Sequence, residues 1–137
     1  MTRVMINNSG IDGIWVRYDA LLAGDVSAAA VVLDDASILH VPGRSGLAGD
    51  YQGTEAIVGL FGRMAEYTHD TLQLDSPRLV AEDIRMLVLQ GHMSATASRT
   101  HLDTDVIHAL SLRGDKIQEA WLFSLNQDDF DEFWTGR

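Results

Sequence analysis

Apolar residues recur at helical spacing near the start of the chain and pass to alternation in its second half. Ile11, Ile14, Trp15, Tyr18, Leu21 and Leu22 fall on one face of a 3.6-residue period. Ser9, followed three residues later by Asp12, resembles a capping box that opens this first helix. "DVSAAAVVL" predicts a short second helix capped by Asp25. The strand-like "ASILHV" then gives way to a loop, "PGRSGLAGDYQG", punctuated by Pro42 and four glycines. Thr54 caps a third predicted helix, "EAIVGLFGRMAEY". Beyond it, strands are predicted near Thr71–Ala81, Ile84–Ala97, His101–Leu112 and Ile117–Leu125, with turns at "AED" and "RGDK". "DDFDEFW" reads as a short closing helix with Phe130, Phe133 and Trp134 on one face.

Helices first and antiparallel strands afterwards predict an α+β architecture, a curved antiparallel sheet packed on one face by three helices from the N-terminal half. Residues 1–137 fit one domain, with no internal repeats. The concave side of such a sheet is either filled by side chains or left as a pocket.

Composition narrows the function classes. The chain has no cysteine, so disulfides, thiol nucleophiles and thiolate metal sites are excluded together. Twenty acidic against ten basic residues give a formal charge of −10, and the basic residues are scattered. That argues against a nucleic-acid or anionic-membrane partner. No segment approaches the roughly 18 apolar residues of a spanning helix, and "MTRVMINNSG" has neither an apolar signal core nor a cleavage pattern. The expectation is a cytoplasmic protein.

"YDALLAGDVSAAAVVLDDASILHVPG", "YQGTEAIVGLF" and, near the end, "GDKIQEAWLF" occur in an order and spacing that resemble the nuclear transport factor 2-like superfamily, specifically its SnoaL-like and ketosteroid isomerase-like members. The resemblance covers nearly the whole chain and implies a cone-shaped α+β barrel. It is specific for fold and not for function, because this fold hosts isomerases, cyclases, dehydratases, hydrolases and non-enzymatic modules. In ketosteroid isomerases an aspartate just before a proline in the first strand is the base, and an acid in a late strand holds the oxyanion with a tyrosine of the first helix. Matched by motif, "HVPG" brings His40 or Val41 to the base position, His40 being the only titratable one, and His108 falls at the oxyanion acid. Tyr18 lies beside the tyrosine position, which a gapless match gives to Arg17. Neither carboxylic acid is present, so steroid isomerisation does not carry over.

Strand alternation tests these positions independently. Val106, His108, Leu110 and Leu112 form an apolar stripe that turns His108 inward. In "ASILHV" both alternating sets are apolar, which leaves the direction of His40 open. Two imidazoles at one pocket would make a proton-transfer pair, one neutral ring taking a proton beside a carbonyl while the other, or Tyr18, donates to the oxyanion. Taken singly, His108 reads equally well as a core histidine and His40 as a strand-end residue. Such a scheme needs no cofactor.

His92 shares a side with Val88, Gln90 and Ser94 and is expected to face outward, while His69 and His101 read as surface residues. A metal site built from His40, His108 and Asp105 is disfavoured, because Asp103 and Asp105 alternate away from His108. Trp15, Phe61, Met64, Trp121 and Phe123 are the candidate ligand-lining residues, with plain core as the competing reading for Phe61 and Met64. The glycine-rich loop is read as a gate over the pocket or a merely structural loop.

The function expected is cofactor-independent proton transfer on a small hydrophobic carbonyl or polyketide-like compound, as an isomerase, cyclase or dehydratase, with His40 as base and His108 and Tyr18 as hydrogen-bond partners. The competing class is a non-catalytic binding or assembly module. The resemblance also implies a homodimer, formed through the outer sheet face that carries Gln90, His92 and Ser94.

Overall fold

The first helix, α1 (Ser9–Leu22), buries Ile14, Trp15, Tyr18 and Leu21, the face its periodicity marks. In the computed structural model, residues 9–22, 25–83 and 85–135 are described, with side chains for all of these except 9–13, 22, 76 and 77. The Ser9–Asp12 capping contact therefore lies outside the described residues.

The predicted second helix is split. Asp25 accepts hydrogen bonds from the Ser27 amide (3.2 Å) and hydroxyl (2.6 Å), closing a 3₁₀ turn over Val26–Ala28. Only Ala29–Val32 continue as α2. The third helix, α3 (Thr54–Tyr67), begins after Gly53 as its N-cap and buries Ile57, Leu60, Phe61 and Met64, the i, i+3, i+4, i+7 positions of one stripe. The last helix, α4 (Gln127–Thr135), docks on the core through Phe130, Phe133 and Trp134.

Six strands, β1 (Ile38–Val41), β2 (Gly49–Gln52), β3 (Gln73–Asp83), β4 (Met86–Ala97), β5 (Thr100–Arg113) and β6 (Lys116–Ser124), form one curved sheet in the order β2-β1-β6-β5-β4-β3. Every neighbouring pair is antiparallel except β1 and β6, which run parallel. The turn predicted at "AED" is strand, since β3 continues to Asp83. Strand β2 lies inside the segment read as loop; it is an edge strand of four residues with only Tyr51 half-buried, so it carries no alternation to read.

Alternation is clean in β4, where Leu87, Leu89, Met93, Ala95 and Ala97 are buried against the helices while Val88, Gln90, His92 and Ser94 look outward. Gly91 stands on the buried side because a Cβ there would lie 2.8 Å from Leu74 Cδ1 and 3.3 Å from Asp75 O, so β3 closes over β4 at that point. The glycine-rich segment after β1 is packed rather than a free flap. Leu47 is in the core, the Tyr51 hydroxyl donates to Leu47 O (2.7 Å), and Gln127 Nε2 donates to Pro42 O (3.3 Å). Gly43, at φ +104°, sits where a side chain would collide with Asp131 and Gln127 of α4.

Candidate functional site

The inward stripe of β5 is Leu102, Thr104, Val106, His108, Leu110 and Leu112. His108 has no exposed surface, and its register partners are Leu89 of β4 and Leu122 of β6, both fully buried. Above it lie two residues of α1, three positions apart and so on one helix face. Tyr18 Oη is 3.4 Å from His108 Nδ1, a long hydrogen bond, with the rings edge-on at 5.6 Å between centroids. Trp15 meets the same imidazole edge-on at 6.0 Å, and Phe61 of α3 closes on Tyr18 at 6.2 Å. Met64, one turn further along α3, is buried in the same core. His108, Tyr18, Trp15 and Phe61 are thus brought together on the concave side.

Burial sets the electrostatics. Desolvation lowers the His108 pKa from 6.5 to about 4, so the ring is neutral at pH 7. The same cause pushes the Tyr18 phenol well above its ordinary value, so it keeps its proton. With Tyr18 donating to Nδ1, the imidazole proton sits on Nε2; with the bond reversed, Nε2 is an acceptor. In either tautomer Nε2 is buried with no hydrogen-bond partner among the described residues. Leaving such a group unpaired costs about 1–3 kcal/mol. Asp19, next to Tyr18, is a half-buried carboxyl whose pKa burial raises, a group the sequence reading passed over.

The expected second imidazole is not there. His40 pairs across the parallel β1–β6 ladder with Trp121, and Trp121 is opposite Ala109, the outward neighbour of His108. His40 therefore lies on the convex face, with Leu39 and Val41 turned into the core instead. Its ring stacks on Trp121 at 5.3 Å, Nδ1 bonds Asp50 Oδ1 (2.7 Å) and Nε2 bonds Glu119 Oε2 (2.8 Å). Desolvation lowers its pKa, but the bonds to Glu119 and Asp50 outweigh that and raise it. Both ring nitrogens are occupied by carboxylates, which suits a cross-strand clip and not a general base.

Trp121 and Phe123, expected to line the pocket, also face outward, Phe123 being 41% exposed. The cause is a bulge: Ser111 pairs with Glu119 but Leu112 with Ile117, so an extra residue in β6 shifts its phase and turns Ala120 and Leu122 inward. His92 faces outward as the alternation predicts, bonded to Asp105 (2.8 Å) and to Asp103, which together raise its pKa. His69 and His101 are exposed. Among the described residues no three His, Asp or Glu side chains are grouped to hold a metal ion. An open surface groove of about 490 Å³, between the start of β5 and α4, is lined by Thr100, Leu102, Asp129, Glu132 and Phe133 among others and shares no residue with the His108 cluster.

Among the described residues no helix is long and apolar enough to cross a membrane. No known family profile and no curated protein matches the chain. Solved structures do. Bal32a, from a soil-derived mobile gene cassette, superposes with a TM-score of 0.84 at 24% identity, covering 91% of this chain and 95% of that one. An NTF2-like protein of unknown function from Burkholderia pseudomallei gives 0.78 at 15% identity, covering 96% and 99%. A putative SnoaL-like polyketide cyclase from Jannaschia sp. CCS1 gives 0.76 at 11% identity, covering 100% and 99%. The curved sheet, its helices and these superpositions together give the chain the nuclear transport factor 2-like fold.

Proposed function

We propose that the concave face binds a small, largely apolar compound through a carbonyl or hydroxyl oxygen that pairs with His108 Nε2. One observation carries the reading: a neutral imidazole nitrogen with no partner, enclosed by aromatic side chains and oriented by Tyr18. A donor held there would stabilise negative charge developing on a carbonyl oxygen, the requirement shared by isomerase, cyclase and dehydratase steps. Trp15, Phe61 and Met64 supply the apolar walls, and no cofactor enters the scheme. His40 has no part in it.

A non-catalytic binding module is the second reading, favoured by the fact that among the described residues Tyr18 is the one side chain hydrogen-bonded to His108, and no carboxylate or second imidazole is bonded to the ring. The homodimer belongs to the same proposal. Phe123 and Leu125 are exposed on or beside the convex face, next to half-buried Ile107 and Trp121, an apolar strip suited to a second copy.

The test is binding of 2-acetylnaphthalene and 2-ethylnaphthalene to the wild type and to His108→Leu. The ketone is expected to bind the wild type roughly tenfold more tightly than the hydrocarbon, as one hydrogen bond allows, and to lose that margin in the variant. Equal loss for both compounds, or none for either, contradicts the role of His108. Turnover of an enolisable ketone by the wild type, slowed in Tyr18→Phe, separates the enzyme from the binding module.

A further inference from the structure

Two buried side-chain polar atoms lack a partner among the described residues, and His108 Nε2 is one of them. The other is Nε1 of Trp134, a residue with no exposed surface that belongs to the same core cluster as Tyr18 and Phe61. An indole N–H is a donor only, so the group it lacks is an acceptor. Its surroundings do not provide one. Phe130, Phe133 and Tyr67 pack around the ring at 6.1, 4.8 and 5.6 Å between centroids, and the Tyr67 hydroxyl is already committed to Phe133 O (3.1 Å). A phenylalanine would pack there without an unpaired polar atom, so the nitrogen is not explained by packing.

The two unpaired atoms are linked by α3. Phe61 packs on Tyr18, the partner of His108, and Tyr67 packs on Trp134. Six residues separate them, about 9 Å along the helix axis. Met64 lies on the buried face of α3 between them.

We propose that Trp134 is a second polar anchor of the ligand, its indole N–H donating to an acceptor at the end of the compound remote from His108. This rests on the reading of the concave face as a ligand site. It narrows the ligand to a compound with oxygen acceptors at both ends of an apolar body. No cationic group is found in the buried core of the described residues to receive a carboxylate, so both acceptors are uncharged.

The test uses the full ¹⁵N-labelled chain, with the three indole N–H signals assigned by single Trp→Phe substitutions. The probes are 2-acetylnaphthalene, with one carbonyl, and 2,6-diacetylnaphthalene, with two. The diketone is expected to move the Trp134 indole signal downfield and to bind the wild type roughly tenfold more tightly than the monoketone, in line with one added neutral hydrogen bond. In Trp134→Phe that preference falls below about twofold, while the margin of the monoketone over its hydrocarbon counterpart, which belongs to His108, is kept. Three results overturn the proposal. If the diketone shifts His108 signals but leaves the Trp134 indole unmoved, an ordered water alone explains the unpaired N–H and the pocket reading stands. If the diketone preference survives in Trp134→Phe, the second acceptor is held elsewhere. If neither compound perturbs His108 or Trp134, the pocket reading fails as well.

Discussion

His108 on β5 and His40 on β1 stand two strands apart in one sheet, with β6 between them, and face opposite ways, one into the helices and one to solvent. The concave histidine is dry, neutral and half-paired, with a pKa lowered to about 4 by burial. The convex one is hydrogen-bonded to two carboxylates and has its pKa raised, as does His92 further along the same face. The same side chain thus serves two physical ends, and only the concave one is left with bonding capacity unspent. His40 adds hydrogen bonds that hold β1 to its neighbours, whereas His108 carries an unpaired nitrogen whose cost to stability the ligand site proposed above would offset.

The two faces should respond to pH with opposite sign. Between pH 6.5 and about 4 the unfolded chain takes up a proton that folded His108 refuses, so acidification across that window removes stability. The full shift corresponds to about 3 kcal/mol, an upper figure for one group. Urea denaturation of the wild type and His108→Leu at pH 7 and pH 4.5 checks this: the leucine variant is expected to lose distinctly less on acidification.

At pH 7 His108→Leu alone should change stability little, because it removes the unpaired Nε2 but strips the buried Tyr18 hydroxyl of its partner. Tyr18→Phe combined with His108→Leu, which removes both polar groups, should be more stable than Tyr18→Phe alone by about 1–3 kcal/mol. A double variant less stable than Tyr18→Phe alone would mean that Nε2 has a partner in the ligand-free protein.

On the convex face the effect is smaller and reversed. His40 and His92 have raised pKa values, so their contribution is present in full below about pH 6.5 and is lost as pH rises through the folded-state pKa. His40→Ala should cost less than about 1 kcal/mol at pH 5.5, as expected of a part-exposed pair, and close to nothing from its ion pairs at pH 9. A pH-independent cost would assign His40 to packing on Trp121 instead.

How far the sequence foretold this contrast depended on strand length and regularity. His108 was legible as inward because Val106, Leu110 and Leu112 extend its stripe over several alternations. His40 was not, since β1 has four residues and both of its faces are apolar. Trp121 and Phe123 were misplaced because their side chains were read as pocket aromatics without a phase for β6, and that phase is set by a bulge formed in pairing with β5, which has no local signature. Strand β2 escaped notice as an exposed edge held by β1. Trp134 was seen as a docking residue, and only the packed structure reveals that its nitrogen is unpaired.

The most direct measurement is a long-range ¹H–¹⁵N NMR titration of the five imidazoles from pH 4 to pH 9. His108 is expected to remain neutral, in one tautomer, down to about pH 4, while His40 and His92 titrate above 6.5. A His108 that titrates at 6.5 or higher, alongside the other two, would contradict this.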